Sequence, residues 1–115
     1  MDIEQEIVAK GLTAPRITPQ HIEGVISEEY YFTAENGIVG STLDPDHVVQ
    51  RPTSLQTLTF CVLVLKNGFT VTGESACASP ENFDAEIGRK IARRNAVDKV
   101  WPFEGYLLKQ KLSEK

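Results

Sequence analysis

Four cations stand within six residues of one another, at Arg89, Lys90, Arg93 and Arg94. The surrounding stretch, NFDAEIGRKIARRNA, has helical periodicity, and at about 100° per residue Arg89 and Arg93 lie on one side of that helix, one turn apart. Two guanidinium groups at this spacing form a planar, bidentate fork that suits phosphate oxygens. The alternative is a solvated face, on which Glu86 pairs with Lys90 and Arg94 pairs with Asp98 at helical spacing. Only Glu86 is expected to lie near enough to neutralise Arg89 and Arg93. The residues alone leave both interpretations open.

Three further residues near this helix are candidates for ligand contact. Asn95 falls among small apolar residues, and a buried amide needs a partner, which is either neighbouring backbone or the polar edge of a ligand. Asn82 and Phe83 lie at the helix start, where free N–H groups attract anions. Phe83 is either a core residue or a platform on which a base stacks.

Patterns typical of catalysis are missing from the sequence. Neither His21 nor His47 lies near a plausible Ser or Cys nucleophile pattern. There is no Walker loop and no glycine-rich dinucleotide fingerprint. The stretch LDPDHV, with Asp44, Asp46 and His47, favours a solvated turn over a metal site. We therefore expect no enzyme, no catalytic residue, no metal and no cofactor.

The composition narrows the possible partners and locations. The chain has 115 residues and a net charge of −4, which argues against a protein that coats long nucleic acid. A small anionic ligand, bound by a few cationic side chains that lie close together, is still possible. No apolar stretch of about 18 residues is present, so we expect no membrane span. The acidic N-terminus does not resemble a signal peptide, and Cys61 and Cys77 have no metal-type spacing, so we expect a reducing cytosol.

The length predicts a single domain over residues 1–115. Residues 1–18 read as a short helix followed by a proline-containing linker, and residues 19–112 as the core. Thr18 and Pro19 are typical of a helix start, so we expect a helix over 19–28. Strand-forming residues begin at Tyr30. Residues 36–56 show turn signals and little periodicity, which predicts a long connection.

A hairpin is the clearest local signal. Asn67-Gly68 joins two strand-like runs, and this pair is preferred in tight turns because both residues tolerate positive φ. Residues 60–65 are apolar at every position, so we expect this strand to be covered on both faces, by a helix or by another subunit.

The C-terminal third predicts helices that pack on this hairpin. Ser79-Pro80 is expected to open the main helix, and Pro102 to stop it near Trp101. A final helix is expected over 104–112. The fold class is therefore α+β: a small antiparallel sheet with a central Asn-Gly hairpin, packed by a long C-terminal helix and short flanking helices.

The run LKNGFTVTGESACASPENFDAEIGRKIARRNAVDKVWPFEGYLL resembles small tailed-phage proteins. This family includes the first-described Thoeris anti-defence protein, a sponge that sequesters an immune signal. The resemblance is strongest over residues 57–108 and weaker over 17–32. The segments on which the resemblance rests are NGFTVTG, SAC, NFDAEIGRKIARRNA and KVWPFEGYLL.

The resemblance implies a phage protein in the cytoplasm of the infected bacterium. It implies capture of a cyclised ADP-ribose isomer, which is bound intact, in pockets between the subunits of a symmetric homo-oligomer (a dimer or a dimer-based assembly). Some family members also hold cyclic oligonucleotides at a separate site. The ligand-binding candidates that match the family by segment are Arg89, Arg93, Asn95, Asn82, Phe83 and Phe69.

Three other functions are alternatives to sequestration of an immune signal. The order of helix, sheet and basic helix loosely resembles double-stranded-RNA-binding domains, although the acidic pI opposes a nucleic-acid-binding module. A module that inhibits a host protein would leave Arg89 and Arg93 on an open face. A hydrolase of the same signal would not release intact nucleotide.

Overall fold

The structure is a computed structural model that describes residues 2–41 and 53–115. In chain order its helices and strands are α1 (Ile3–Ala9), α2 (Pro19–Val25), β1 (Ile26–Thr33), α3 (Ala34–Ser41), β2 (Leu58–Leu65), β3 (Thr70–Ala76) and α4 (Ala85–Ser113). The strands form one antiparallel sheet in the order β1-β2-β3. The α+β class with a long C-terminal helix is therefore confirmed.

The predicted hairpin joins β2 to β3. Gly68 has a φ of 88°, and the Asn67 side-chain oxygen accepts a hydrogen bond from the Phe69 N–H at 2.9 Å. β2 and β3 pair without a break in register, and β1 pairs with β2 with one shift between Ile26 and Glu28. Phe60 in the central strand faces Phe32 on one side and Glu74 on the other. The turn chemistry thus sets which residues are neighbours across the sheet.

Helix α4 lies very close to the sheet. Its buried stripe consists of small or branched residues, namely Gly88, Ala92, Ala96 and Val100. A Cβ added at Gly73 of β3 would overlap the Ala92 carbonyl oxygen and the Ala96 amide nitrogen. The absence of a side chain at Gly73 is therefore what lets the helix backbone approach β3. The core also contains Ile22, Cys61, Leu63, Leu65 and Val71.

The two faces of the central strand differ. Cys61, Leu63 and Leu65 are buried under α4, whereas Phe60, Val62 and Val64 face the other way and are half-buried. Among the described residues, α4 packs on the first face, and α3 reaches the Phe32 end of the second. The strand is thus covered on one of its two faces by a helix of the same chain, as expected.

The N-terminal half differs from the prediction at two boundaries. The helix expected over 19–28 ends at Val25, and the strand expected from Tyr30 begins at Ile26. Ile26 pairs with Leu65, and the Lys66 N–H donates to the Val25 carbonyl oxygen at 2.9 Å. Pairing with β2 therefore outweighs the local helical periodicity at these residues.

Part of the predicted connection over 36–56 is ordered structure. Helix α3 begins with a reciprocal cap, in which the Asn36 N–H donates to the Thr33 hydroxyl and the Thr33 N–H donates to the Asn36 amide oxygen. A 3-10 helix spans Thr53–Thr57. Residues 42–52, with the acidic and histidine residues of LDPDHV, lie outside the described residues.

Helix α4 corrects two further predictions. Ser79-Pro80 opens a short 3-10 helix over Pro80–Asn82, and α4 itself begins after Asp84, whose carboxylate accepts a hydrogen bond from the Ile87 N–H at 2.9 Å. Pro102 does not stop the helix, which absorbs the segment predicted as a separate helix over 104–112. Proline removes one backbone donor, and packing on both sides of it keeps the helix continuous.

The length of α4 makes the molecule elongated. Its 29 residues span about 44 Å, whereas the 8 residues of β2 span about 26 Å. The C-terminal turns of α4 therefore extend beyond the sheet, and the longest dimension of the molecule is 60 Å.

Candidate functional site

A cavity of about 140 Å³ lies where the start of α4 meets the sheet. The residues that line it are Tyr31, Phe32, Thr33, Asn36, Thr59, Phe83, Ala85 and Arg89. Two of the predicted ligand residues, Phe83 and Arg89, therefore meet here, although the chain around them comes from β1, α3, β2 and α4. The cavity combines aromatic rings, an exposed guanidinium and short polar side chains.

Thr59 gives this cavity an unsatisfied donor. The residue is 3% exposed, and its hydroxyl has no hydrogen-bond partner among the described residues. A Cβ added at Gly88 would lie 3.1 Å from this oxygen, so the hydroxyl sits directly under the first turns of α4. Leaving a buried hydroxyl unpaired costs about 1–3 kcal/mol. A ligand atom that bonds to it would offset this cost.

Asn36 adds a second polar group at the cavity wall. Its amide oxygen accepts the Thr33 N–H at 2.9 Å, which fixes the side chain at the start of α3. No described residue accepts a hydrogen bond from its amide nitrogen. This cap holds the amide in place at the cavity without using its donors.

The structure separates the two arginines of the predicted fork. Arg89 lines the cavity, whereas Arg93 points to carboxylates that lie far away in the sequence. Its Nε donates to Glu29 Oε2 at 2.9 Å, and its Nη2 donates to Glu23 Oε2 at 2.7 Å. The expectation that only Glu86 could neutralise the pair is therefore wrong for Arg93, because α2 and β1 supply two carboxylates.

Electrostatics reinforce this network around Arg93. The hydrogen bond from Arg93 lowers the pKa of Glu23, and its hydrogen bonds with Glu23 and then Glu29 raise the pKa of Arg93. Burial raises the pKa of the Tyr31 phenol, and the nearby Glu29 carboxylate, to which its hydroxyl donates at 3.1 Å, adds to that rise. These groups link α2, β1 and α4 beside the cavity.

Asn95 bonds to backbone in this structure. Its side-chain nitrogen donates to the Glu74 carbonyl oxygen on β3 at 2.8 Å. This is the first of the two interpretations that the sequence left open. The bond ties the middle of α4 to an outer strand of the sheet.

The remaining predicted residues lie in two places. Asn82 and Phe83 line an adjacent cavity beside Cys77 and Ile87, so Phe83 separates two cavities. Phe69 lies at the other end of the sheet, where its ring meets the edge of Phe103 with centroids 5.2 Å apart. Helix α4 covers about 21 Å between residues 89 and 103. The geometry thus brings together Arg89 and Phe83, with Asn82 in the adjacent cavity and Phe69 at the other end of the sheet.

One family model matches the chain over residues 17–112, and it describes the Phage protein (N4 Gp49/phage Sf6 gene 66) family. The chain belongs to this phage protein family. No curated protein and no solved structure matches it. The match includes every residue of the cavity and leaves out α1.

Sequence reasoning missed the contribution of the sheet to the site in this phage protein. Thr59 and Tyr31 come from strands, and no local spacing relates them to Arg89. The signal for Thr59 was a hydroxyl at an inward position of an apolar strand, which is where an unpaired donor is costly. In the described ranges, no cluster of three His, Cys, Asp or Glu side chains could hold a metal, and no helix is long and apolar enough to cross a membrane.

Proposed function

We propose that this phage protein binds a cyclised ADP-ribose isomer, the signal of Thoeris defence, and withholds it intact from its effector in the host bacterial cytoplasm. The observation that carries the proposal is the cavity lined by Phe32, Phe83, Arg89 and Thr59, in which the buried Thr59 hydroxyl has no partner among the described residues. The resemblance to signal-sequestering phage proteins supplies the identity of the ligand. Sequestration requires binding without catalysis.

The chemistry of the cavity suits such a ligand. The signal carries a pyrophosphate, two riboses and an adenine. The Arg89 guanidinium matches phosphate oxygens, and the Thr59 hydroxyl and the Asn36 amide match ribose or phosphate oxygens. Phe83 offers a face on which the adenine can stack.

The size of the cavity supports a role for a second subunit. Pockets that enclose a small molecule measure about 300–1,000 Å³, and this one measures about 140 Å³. Phe32 lines the cavity and also lies on the open face of the sheet beside Phe60, with ring centroids 5.5 Å apart. A second copy packed on this face would extend the wall of the cavity. We therefore propose a homo-oligomer in which two subunits enclose the ligand.

The other predicted ligand residues rest on the resemblance. For Arg93 to hold phosphate, its guanidinium would exchange Glu23 or Glu29 for the ligand, and for Asn95 the bond to β3 would break. Asn82 lies one cavity away, and Phe69 lies at the hairpin. A separate site for cyclic oligonucleotides is likewise a prediction from the family alone.

Isothermal titration with cyclised ADP-ribose isomers tests the proposal. We expect tight binding, and heating the complex should release the nucleotide unchanged. Arg89→Ala should weaken binding about 10- to 100-fold, the effect of a hydrogen bond to a charged group. Arg94→Ala, on the same helix but not at the cavity, is the matched control. Hydrolysed product, or equal losses in both variants, would contradict the proposal.

Inhibition of a host protein is the second candidate. The observation that favours it is the partly open apolar face of the sheet, with Tyr30 54% exposed and Phe32 39% exposed. If no isomer binds and a host protein binds to this face, inhibition of a host protein becomes the favoured function and sequestration of the signal is excluded. The charge of −4 still opposes binding to extended nucleic acid.

A further inference from the structure

The two outer strands of the sheet differ in what occupies their edges. Helix α4 packs on β3, and the Asn95 side chain donates a hydrogen bond to the Glu74 carbonyl oxygen at 2.8 Å. The edge of β3 is therefore used at this residue by its own chain. Strand β1 forms the opposite edge, and five of its 8 residues are exposed. An uncovered strand edge is a template for pairing with another strand.

The Glu74 bond also shows which way the backbone groups of the sheet point. In antiparallel strands, opposite residues alternate between pairs that exchange both backbone hydrogen bonds and pairs that exchange none. The Glu74 carbonyl bonds to α4, so Glu74 and its opposite residue Phe60 form a pair of the second kind. Phe60 therefore directs its N–H and C=O groups toward β1, where Phe32 lies opposite. The residues on either side of Phe32 point outward.

The outward residues of β1 by this alternation are Thr33, Tyr31 and Glu29. Thr33 agrees with it, since its N–H donates to the Asn36 side-chain oxygen at 2.9 Å. Among the described residues, no hydrogen bond uses the outward backbone groups of Tyr31 or Glu29. Ser27 has no partner in β2, because the register shifts there. Two residues thus carry the free groups of this edge, between two interruptions.

We propose that β1 pairs antiparallel with β1 of a second copy, with Glu29 of each chain opposite Tyr31 of the other. The two three-stranded sheets then join into one sheet of six strands around a two-fold axis. A shift of the register in one direction would place Glu29 opposite its own copy, where like charges repel. A shift in the other direction would need the Thr33 N–H, which is already bonded.

A second copy fits this edge better than a strand of another protein because the interruptions coincide. In the proposed register, Ser27 of each chain lies opposite Thr33 of the other. Neither residue continues the ladder, since Ser27 lies at the register shift and the Thr33 N–H is bonded within its own chain. An uninterrupted strand would leave its own backbone groups unpaired at both positions, which is unfavourable when they are buried.

The side chains agree with this contact on both faces of the sheet. Tyr30 lies on the two-fold axis and is 54% exposed, so it would pack against its own copy. Such a pair, without backbone bonds between its members, brings side chains closest. On the other face, the Arg93 guanidinium already pairs with Glu29 at 2.9 Å, so no unpaired carboxylate enters the contact there. The inference goes beyond the proposed function, because it concerns the edge of the sheet and needs no ligand.

A cysteine on the axis tests the contact. Tyr30→Cys is made in a Cys77→Ser background, because Cys77 is partly exposed and Cys61 is buried. The two new thiols lie directly opposite each other, at a separation that a disulfide bridges. Mild oxidation without nucleotide should therefore give a covalent dimer. Failure of this reaction is separate from failure of nucleotide sequestration.

Phe32→Cys in the same background is the matched control. It lies on the same strand and the same face and is 39% exposed. In the proposed register its own copy lies four residues further along the strand, about 14 Å away. It should therefore give at least about fivefold less dimer than Tyr30→Cys. Equal yields would overturn the proposal, since packing through the sheet face does not distinguish the two positions.

Two further measurements test the register and the hydrogen bonds. A mixture of Phe32→Cys and Glu28→Cys should cross-link, because these positions lie opposite each other across the axis, and a yield no higher than that of Phe32→Cys alone would contradict the register. In the Tyr30→Cys dimer, the Tyr31 amide should exchange its hydrogen at least about tenfold more slowly than in the reduced, diluted protein. An unchanged exchange rate would mean that the strands do not pair.

Together these outcomes decide between edge pairing and any other contact of the same two chains.

Discussion

At the scale of single residues, Thr59 is the side chain whose environment is hardest to explain by folding alone. Thr59→Val keeps the shape and removes the unpaired hydroxyl. We expect the ligand-free protein to gain about 1 kcal/mol in unfolding free energy, because a buried donor without a partner disappears. Affinity for the nucleotide should fall about three- to tenfold, the effect of one neutral hydrogen bond. Urea unfolding and titration measure the two effects.

Thr57 is the matched control for that substitution. It is also buried, but its hydroxyl donates to the Ser54 carbonyl oxygen at 3.2 Å or the Cys77 carbonyl oxygen at 3.3 Å. Thr57→Val should therefore lower the unfolding free energy. A loss of stability in both variants would mean that Thr59 has a partner in the folded protein, and that its hydroxyl does not await a ligand.

Because carboxylates surround Arg93, the free energy of unfolding should depend on pH. The pKa of Glu23 is lowered by its hydrogen bond to Arg93, so this pair contributes stability above the ordinary value of 4.5 and loses it as the pH falls through the lowered pKa. Glu23→Gln should cost less than about 1 kcal/mol at pH 7, since the Glu23 side chain is 56% exposed and solvent screens the pair. The difference from the original protein should shrink as the pH falls below 4.5 and vanish once the Glu23 carboxyl of the folded protein is protonated.

Denaturant unfolding between neutral and acid pH measures this dependence. Glu28→Gln, which removes a nearby carboxylate that does not bond to Arg93, is the control and should keep the loss of stability in acid that the Glu23–Arg93 pair causes. A Glu23→Gln variant that remains equally less stable at every pH would show that the loss comes from packing and not from the ion pair.

Local spacing predicted some of these residues and could not predict others. Arg89 and Phe83 were recognised because helical periodicity places them near one helix start. The partners of Arg93 lie 64 and 70 residues away along the chain. Only the packing of α2 and β1 beside α4 brings Glu23 and Glu29 to it. Long-range pairing of this kind leaves no periodic signal in a single sequence.

At the scale of helices and strands, α4 and β3 approach each other so closely at Gly73 that no side chain fits between them. Gly73→Ala should lower the unfolding free energy by about 3 kcal/mol or more, because the new methyl group overlaps backbone atoms of Ala92 and Ala96, and backbone cannot rotate away. Gly105→Ala is the control, since nothing lies within 4 Å of a Cβ there. It should stabilise α4 by about 0.5–1 kcal/mol. Thermal unfolding of both variants checks the contrast.

Pro102 shows why the ends of the helices and strands were harder to predict than their presence. Its chemistry favours a helix end, and the sequence offered no local reason to continue. The structure supplies a tertiary reason on each side: Val100 is fully buried in the core, and Phe103 packs on Phe69. The hairpin, by contrast, was predictable because Asn67-Gly68 determines its own turn.

At the scale of the whole molecule, the shape differs from that of a compact domain. The radius of gyration is 18.7 Å, whereas a compact chain of this length has about 13 Å. The excess agrees with the turns of α4 that extend beyond the sheet and with helix α1, which makes little contact with the other helices and strands. Together with the apolar sheet face, these parts leave surfaces that a single copy cannot bury, which is the physical basis for proposing an oligomer.

A charge on the sheet face tests the oligomer at this scale. Val62 lies at the centre of that face and is half-buried, so Val62→Lys leaves the α4 side of the sheet untouched. If the proposed oligomer forms through this face, we expect the dissociation constant between subunits to rise about tenfold or more, because the interface would bury a charge in place of the two methyl groups of Val62. Light scattering over a dilution series, with the single chain at 12.8 kDa, measures the shift.

The same variant connects the oligomer to the ligand. If a second copy forms a wall of the cavity, Val62→Lys should weaken nucleotide binding in parallel with the dissociation of subunits, and raising the protein concentration should restore binding. Gln20→Lys adds the same charge to an exposed position on α2 and should change neither. A Val62→Lys protein that dissociates yet binds nucleotide as well as the original would show that one chain holds the ligand by itself, and the shared pocket would be wrong.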